Sequence, residues 1–370
     1  MRHRGWIFYL LAGMGATTAT AAIEPETIGS STLGEPGPTW VMVHDGLGPA
    51  YVFDTADGEM LGLLSLSRFT PAVQPNVAAG ELYAAESFYS RGPRGDRTDV
   101  LTIYDLATLS PAGEVAIPQK IAALPFRQYI ELLDDRRHVA VFNMTPATSV
   151  SIVDVKDRAF VAEISTPGCA LIMGTPNRGF LQLCGDGRAQ LIRLDADGNE
   201  TARVRSEQFF SVEEDPVFDK PLRMDSGWLL TSYLGQVFEL TVDDDNIEVS
   251  APWSLLTDED RAGSWRPGGG QFIAYHAGQD LMFVLMNADG EFSHDNAGTE
   301  VWVFNRATQR RIGRLPLQHR GTNLFVSQDR APLLTVTGVD SQLHVFDVAT
   351  LKLVRSISEV GTAPGLLQGF

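Results

Sequence analysis

VWVFNRATQRRIGRL (residues 301–315) and LHVFDVATLKLVRSI (residues 343–357) share one pattern: an alternating apolar segment, a polar turn and a second segment of the same kind. Alternation places every second side chain of a strand on one face, so each segment predicts a β-hairpin with one face in a core. Five further segments have this pattern: YVFDTADGEMLGLL (51–64), LTIYDLATLSPAGEVAI (101–117), VSIVDVKDRAFVAEI (150–164), AQLIRLDADGNETARV (189–204) and QVFELTVDDDNIEV (236–249). The sequence therefore predicts seven copies of one hairpin.

The spacing of the copies indicates how they assemble. Equivalent positions in the seven hairpins are Asp54, Asp105, Asp154, Leu194, Glu239, Asn305 and Asp347. Their separation of about forty to sixty-five residues is typical of propeller blades with loop insertions. One hairpin cannot bury its own face, whereas four-stranded blades stacked in a ring can. We therefore expect an all-β, seven-bladed β-propeller that uses residues 22–370 as a single domain. A two-domain β-sandwich is the alternative, but it does not predict seven copies.

Local signals place the turns and one short helix. Ala-Asp-Gly occurs at the turns around Asp57, Asp197 and Asp289, where glycine tolerates a positive φ. The stretch SLLTDEDRAGSW (254–265) is the best helix candidate, with Thr257 as the N-cap before two acidic residues.

The N-terminal residues have the pattern of an export signal. Arg2, His3 and Arg4 precede an apolar stretch, GWIFYLLAGM (5–14), that is too short to span a bilayer. Ala19-Thr20-Ala21 then supplies the small residues that signal peptidase requires. We expect cleavage after about residue 21 and a mature protein without a membrane span. A short N-terminal anchor is the alternative.

The chain has two cysteines, Cys169 and Cys184, in the stretch GCALIMGTPNRGFLQLCGDG (168–187). They are too far apart for a C-x-x-C redox pair, and no histidine lies among them to complete a structural zinc site. In an exported protein, two cysteines most simply form one structural disulfide.

Charge and motifs exclude several functions. The formal net charge of −17 argues against a nucleic-acid partner, which requires a basic face. The sequence contains no H-E-x-x-H, G-x-S-x-G or P-loop motif, and no two histidines lie four residues apart. We therefore assign no catalytic, cofactor-binding or metal-ligating residue to this chain. From the residues alone, it is an exported propeller that binds a partner or a ligand.

Several segments carry a specific resemblance when they are taken together. They are RGPRGDRTDVLTIYD (91–105), GCALIM and LCGDG around the cysteines, FFSVEEDPVF (209–218), PWSLLTDEDRAGSWRPGGGQFIAYH (252–276) and TEVWVFNRATQRRIGRLPL (299–317). In this order they resemble the large (heavy, α) subunit of the tryptophan tryptophylquinone amine dehydrogenases, which act on methylamine or aromatic amines. FFSVEEDPVF and PWSLLTDEDRAGSW look closer to the aromatic amine branch.

The resemblance implies a periplasmic α2β2 enzyme that oxidises primary amines to aldehyde and ammonia. It also implies that tryptophan tryptophylquinone is carried by the small (light, β) subunit, and that electrons pass to a cupredoxin such as amicyanin or azurin. The large subunit of this family is itself a seven-bladed propeller. Because the family's base and quinone belong to the small subunit, the resemblance accounts for the lack of a catalytic motif in this sequence.

One residue receives a role from the resemblance. Phe69, in SLSRFTPAV (65–73), aligns with the family's phenylalanine that lines the substrate channel at the subunit interface. Taken without the resemblance, Phe69 is a core aromatic at a strand end. The flanking Arg68 and Thr70 depart from the family pattern, which leaves the size of the substrate open.

Two rival functions follow from the same sequence. A periplasmic propeller without the small subunit would be a non-catalytic binding module. A propeller hydrolase such as a lactonase would place metal-binding carboxylates and asparagines around its central tunnel, but the sequence has no ordered set of these residues.

Overall fold

Each of the seven sequence repeats forms an antiparallel hairpin in the computed structural model. The structure describes residues 32–70, 72–119, 121–122 and 124–370. The predicted signal peptide, residues 1–21, lies outside these ranges. Leu33–Phe370 forms one compact unit.

The first half of the chain forms four sheets. Their strands are β1 (Trp40–Asp45), β2 (Ala50–Asp54) and β3 (Met60–Leu64) in the first; β4 (Val73–Asn76), β5 (Glu81–Arg91), β6 (Arg94–Asp105) and β7 (Ser110–Ile117) in the second; β8 (Ile130–Leu132), β9 (His138–Asn143), β10 (Ser149–Asp154) and β11 (Ala159–Ser165) in the third; β12 (Cys169–Thr175), β13 (Gly179–Cys184), β14 (Ala189–Leu194) and β15 (Glu200–Arg205) in the fourth.

The second half forms two more sheets and closes the first. The fifth sheet contains β16 (Leu222–Met224), β17 (Gly227–Thr231), β18 (Gln236–Asp243), β19 (Asn246–Val249) and β20 (Trp253–Ser254). The sixth contains β21 (Arg266–Pro267), β22 (Ile273–His276), β23 (Leu281–Asn287), β24 (Gly298–Asn305), β25 (Arg310–Val326), β26 (Leu333–Gly338), β27 (Leu343–Asp347) and β28 (Lys352–Ile357). The last strand, β29 (Pro364–Gln368), pairs with β1 and so joins the two ends of the described chain in one sheet.

The prediction of a seven-bladed β-propeller is wrong in its blade count. The structure has five separate blades of four or five strands, and the remaining strands form one eight-stranded sheet. The physical reason is β25, whose 17 residues pair with β24 in the first part and with β26 in the second. A β-carbon on Gly321 would lie 2.5 Å from Cγ1 of Val336, so glycine lets the strand stay extended across the junction.

Hydrogen bonds also join neighbouring sheets near their innermost strands. Nε2 of Gln74 donates to the carbonyl of Ile130 at 3.0 Å, and Nε1 of Trp228 donates to the carbonyl of Gly174 at 2.9 Å. Gln368, on the closing strand, donates to the carbonyl of Val73. These bonds fix the sheets against one another and satisfy polar groups inside the propeller.

Burial follows the position of a strand in its blade. The residues of β10, β13 and β14 are all buried, because both faces of these strands pack against neighbouring sheets. The outer strands β15 and β28 are mostly exposed. The simple alternation expected from the sequence therefore describes the outer strands better than the middle ones.

Most of the aligned acidic positions cap the hairpin turns. Oδ1 of Asp105 accepts a hydrogen bond from the backbone N–H of Thr108 at 2.8 Å, and Oδ1 of Asp347 accepts the same bond from Thr350 at 2.8 Å. In the fourth repeat the capping residue is Asp195, one position after the Leu194 that the sequence alignment places there. The recurring aspartates therefore build turns.

The predicted helix is confirmed. It is α1 (Asp258–Ala262), and Thr257 and Asp260 form a capping box at its start. Short 3-10 turns occur at Val77–Ala79, Arg127–Tyr129 and Ala277–Gln279.

Candidate functional site

Phe69 lies in the loop between β3 and β4 and is half-buried. Its backbone pairs with Ser87 of β5, and its N–H donates to Oγ of Ser67 at 3.2 Å. Its ring contacts Tyr89 edge to face, with 5.4 Å between the centroids. Phe69 is therefore held at the base of the long β5–β6 hairpin.

The hairpin and the loop enclose a groove, here called the aromatic groove. Its volume is about 350 Å³, and it is lined by Ser67, Arg68, Phe69, Ser87, Phe88, Tyr89, Gly92 and Pro93. Phe88 is 43% exposed, which is high for a large apolar side chain. The rings of Phe69 and Tyr89, which are in contact, form a surface that suits an apolar or aromatic ligand.

Arg97 and Asp99 fix the base of the hairpin. Nε and Nη2 of Arg97 each lie 2.7 Å from one oxygen of Asp99, which is 1% exposed. Oδ2 of Asp99 also accepts the backbone N–H of Ile121 at 3.0 Å. Hydrogen bonding to Asp99 raises the pKa of Arg97. The ion pair between the two side chains holds this part of the hairpin in place and so makes the groove more rigid.

Glu86 holds the loop that carries Phe69. Its carboxylate is fully buried and accepts hydrogen bonds from the backbone N–H of Ser67 at 2.6 Å and from the hydroxyl of Tyr104 at 2.9 Å. Burial raises the pKa of Glu86, while these hydrogen bonds lower it. Glu86 therefore positions the loop from beneath.

A larger cavity, here called the axial cavity, lies where segments next to the innermost strands of several sheets meet. Its volume is about 460 Å³, and its walls come from the ranges 44–48, 67–70, 125–128, 220–222, 270–273 and 363–366 together with Asn323. It shares Ser67 and Arg68 with the aromatic groove. The aromatic groove and the axial cavity are therefore adjacent.

The two cysteines lie in a different sheet from Phe69. They face each other across β12 and β13, where they form a disulfide with a Cα–Cα distance of 4.0 Å. Neither backbone N–H bonds to the opposite cysteine, because that of Cys169 donates to Thr166 and that of Cys184 donates to Arg188. The disulfide is a cross-strand staple, as the sequence predicts.

The described ranges contain no group of three or more His, Cys, Asp or Glu side chains arranged to hold a metal ion. Within the same ranges, no helical segment combines the length and the apolar character that crossing a bilayer requires.

Sequence reasoning missed the residues around Phe69 and those of the axial cavity. Arg97 and Asp99 lie in the quoted segment 91–105, yet nothing in that segment shows that they pair. Arg127 and Lys220 are 93 positions apart and meet only through the closure of the sheets.

This fold and this groove define the class: a closed β-propeller scaffold with an exposed, aromatic-lined groove beside the β5–β6 hairpin. The sequence profile of the methylamine dehydrogenase heavy chain (MADH) matches residues 43–369. The chain therefore belongs to the methylamine dehydrogenase heavy chain family.

Named relatives agree with this assignment. The chain is 30% identical to the methylamine dehydrogenase heavy chain of Paracoccus versutus over 324 residues, which is 86% of this chain and 75% of the relative. It is 28% identical to that of Methylophilus methylotrophus over 325 residues, which is 86% of this chain and 78% of the relative. The aromatic amine branch stays a prediction, because these relatives are methylamine dehydrogenase chains.

Solved structures support the fold alone. A functionally unknown protein from Desulfotomaculum acetoxidans aligns with a TM-score of 0.60 at 12% identity, covering 90% of this chain and 98% of that one. Dihydro-heme d1 dehydrogenase NirN in complex with DHE aligns with a TM-score of 0.58 at 16% identity, covering 92% of this chain and 77% of that one.

Proposed function

We propose that this chain is the large subunit of a quinoprotein amine dehydrogenase that oxidatively deaminates primary amines. The observation that carries the proposal is the heavy-chain family match over residues 43–369. The reaction is R–CH2–NH3⁺ + H2O → R–CHO + NH4⁺ + 2 H⁺ + 2 e⁻. A quinone supplies the electrophilic carbonyl and accepts the two electrons.

The quinone, tryptophan tryptophylquinone, belongs to the small subunit in this proposal. The residues that line the aromatic groove are consistent with a small subunit that carries the quinone and the base. None of the described residues that line it is a carboxylate or a histidine, so its wall offers shape and aromatic surface without a proton acceptor. The nearest acid described above, Glu86, is buried beneath the loop and bonded to Ser67 and Tyr104. The base therefore comes from the other chain.

Phe69 lines the substrate channel in this proposal. It stands on the rim with Phe88 and Tyr89, and its position is set by backbone bonds to Ser87 and Ser67. Aromatic faces attract an ammonium group and pack against an aromatic substrate. The large subunit thus selects amines by the shape of the groove, while the small subunit carries out the chemistry. An aromatic substrate would pack against the rings of Phe69 and Tyr89, which is why we favour the aromatic amine branch.

The partners and the compartment belong to the same proposal. Two large and two small subunits form an α2β2 enzyme in the periplasm, and each electron pair leaves in two single steps to a cupredoxin such as amicyanin or azurin. The disulfide suits an oxidising compartment. The net charge of −17 suits steering of a protein with a basic patch.

Co-purification tests the proposal. We expect the tagged chain, isolated from the periplasm of its native host, to bring a small cross-linked subunit with visible quinone absorbance that a primary amine bleaches. A colourless chain without a small partner would instead identify a non-catalytic binding module.

A further inference from the structure

The axial cavity carries positive charge in a strongly acidic protein. Three cationic side chains line it: Arg68, Arg127 and Lys220. Among the described residues, none of the three has a carboxylate within 4.0 Å, although most arginines of this chain that are packed against strands are paired. The cavity therefore differs in charge from the protein as a whole.

Arg127 has a hydrogen-bond donor that no described residue accepts. It lies on the 3-10 turn before β8, and its Nη2 donates to the carbonyl of Leu367. Its Nε is buried and has no hydrogen-bond partner among the described residues. Burial lowers the pKa of Arg127 to about 10, so the group still carries its charge at neutral pH. A buried guanidinium with an unpaired N–H is unfavourable unless an acceptor reaches it.

Lys220 has a similar surplus of donors. Its Nζ makes one long contact, 3.4 Å to the carbonyl of Gly269, and lies 5.9 Å from the centre of the Phe218 ring. An ammonium group has three donors, so at least two are free to meet a ligand. Asp219, its neighbour in sequence, is exposed and does not line the cavity.

Asp45 and Gln271, which also line the cavity, already have hydrogen-bond partners. Asp45 accepts backbone N–H groups from Leu47, Thr362 and Ala363, which occupy its carboxylate oxygens. Gln271 donates to the carbonyl of Leu324 at 2.6 Å and accepts the N–H of Leu367 at 3.2 Å. The unused hydrogen-bonding capacity therefore belongs mainly to cationic donors.

We propose that the axial cavity is a binding site for a small oxyanion, a carboxylate or a phosphate, held by Arg127 and Lys220 with Arg68 at its border. A volume of about 460 Å³ accommodates such an ion and lies in the size range of small-molecule sites. The site goes beyond the proposed amine oxidation, because Arg127 and Lys220, which do not line the aromatic groove, disfavour an ammonium substrate in the cavity. The amine uses the aromatic groove, and the anion uses the cavity beside it.

Isothermal titration calorimetry of the purified full chain, with any subunit that co-purifies, tests this site. The probes are inorganic phosphate, succinate and acetate, and acetamide, the neutral analogue of acetate, serves as the control. We expect saturable binding of at least one anion, weaker at high salt, and no saturable binding of acetamide. Phosphate binding without succinate binding would assign a phosphate site, and the reverse would assign a carboxylate site.

Variants connect the binding to the cavity. Arg127→Gln and Lys220→Gln should each weaken anion binding about tenfold or more, because each removes a charge-assisted hydrogen bond. Arg330→Gln removes the same charge from an exposed loop and should leave binding unchanged.

If Arg127→Gln does not fold, as judged by circular dichroism, Lys220→Gln carries the test. No saturable binding of any anion, or equal binding by the Lys220 variant and the Arg330 control, would overturn the proposal. The readout does not involve amine oxidation, so it fails or succeeds independently of the proposed function.

Discussion

We expect the choice between aromatic and short amine substrates to depend on Phe69. Phe69→Ala opens the aromatic groove and removes the edge-to-face contact with Tyr89. We expect the ratio of kcat/KM for aromatic over short amines to change about tenfold, since one pocket contact contributes a few kcal/mol at most. Steady-state kinetics over a series of amines, with the subunits still assembled, measures the change.

A matched control is available on the outer strand β11. Phe160 is also partly exposed, but it lies in the third sheet and does not line the groove. Phe160→Ala should leave the ratio unchanged. Identical kinetics for the Phe69 and Phe160 variants would show that Phe69 does not line the channel.

His44 makes stability depend on pH. It is 7% exposed, and burial, aided by the charge of Arg127, lowers its pKa to about 4 from an ordinary value of 6.5. Between these values the unfolded chain binds a proton that the native chain does not, so the free energy of unfolding falls as the pH drops from 6.5 to 4. The loss is about 2 kcal/mol at pH 5.

His44→Asn removes this proton uptake. The variant should lose less stability than the wild type between pH 7 and pH 5 in urea denaturation. His294→Asn, at a side chain that is 40% exposed, is the control and should follow the wild type. Parallel pH profiles for the wild type and the His44 variant would contradict the assignment.

At the scale of elements, the disulfide joins two adjacent strands of the fourth sheet. It closes a loop with a sequence separation of 15 residues. Loop entropy gives about 3 kcal/mol of stabilisation for a closure of this length. We expect the double variant Cys169→Ala, Cys184→Ala to lose about that much in the free energy of unfolding. Reduction of the wild-type disulfide should produce the same loss, and a loss below about 0.5 kcal/mol would exclude a stabilising role.

The sequence predicts the hairpins well, because their determinants are local. Alternation defines the two strands, and an Asp or Asn before most of the turns accepts the N–H groups that the turn exposes. The cap of α1 is equally local, since Thr257 and Asp260 are three residues apart.

The joining of the last two repeats was not predictable from local signals. Pro316 and Gly321 suggest a break, yet both pair within β25, opposite Glu300 and Gly298. The strand stays continuous because its second part pairs with β26, which follows after residues 327–332.

At the scale of the whole molecule, the axial cavity forms only when the ends of the chain meet. The closing strand β29 pairs with β1 and brings Leu367 to Arg127, while Gln271 bridges to Leu367 from the sixth sheet. No sequence pattern links these positions. Phe69 was identified through a family resemblance, whereas the axial cavity required the fold.

The central claim is that this propeller works as the large subunit of an amine dehydrogenase. Anaerobic titration of the co-purified complex with a primary amine, followed by visible absorbance, tests it most directly. We expect the quinone band to bleach at about one amine per large chain and to return when an oxidised cupredoxin is added, because each amine delivers one electron pair. A complex whose absorbance is unchanged by any primary amine would contradict the claim.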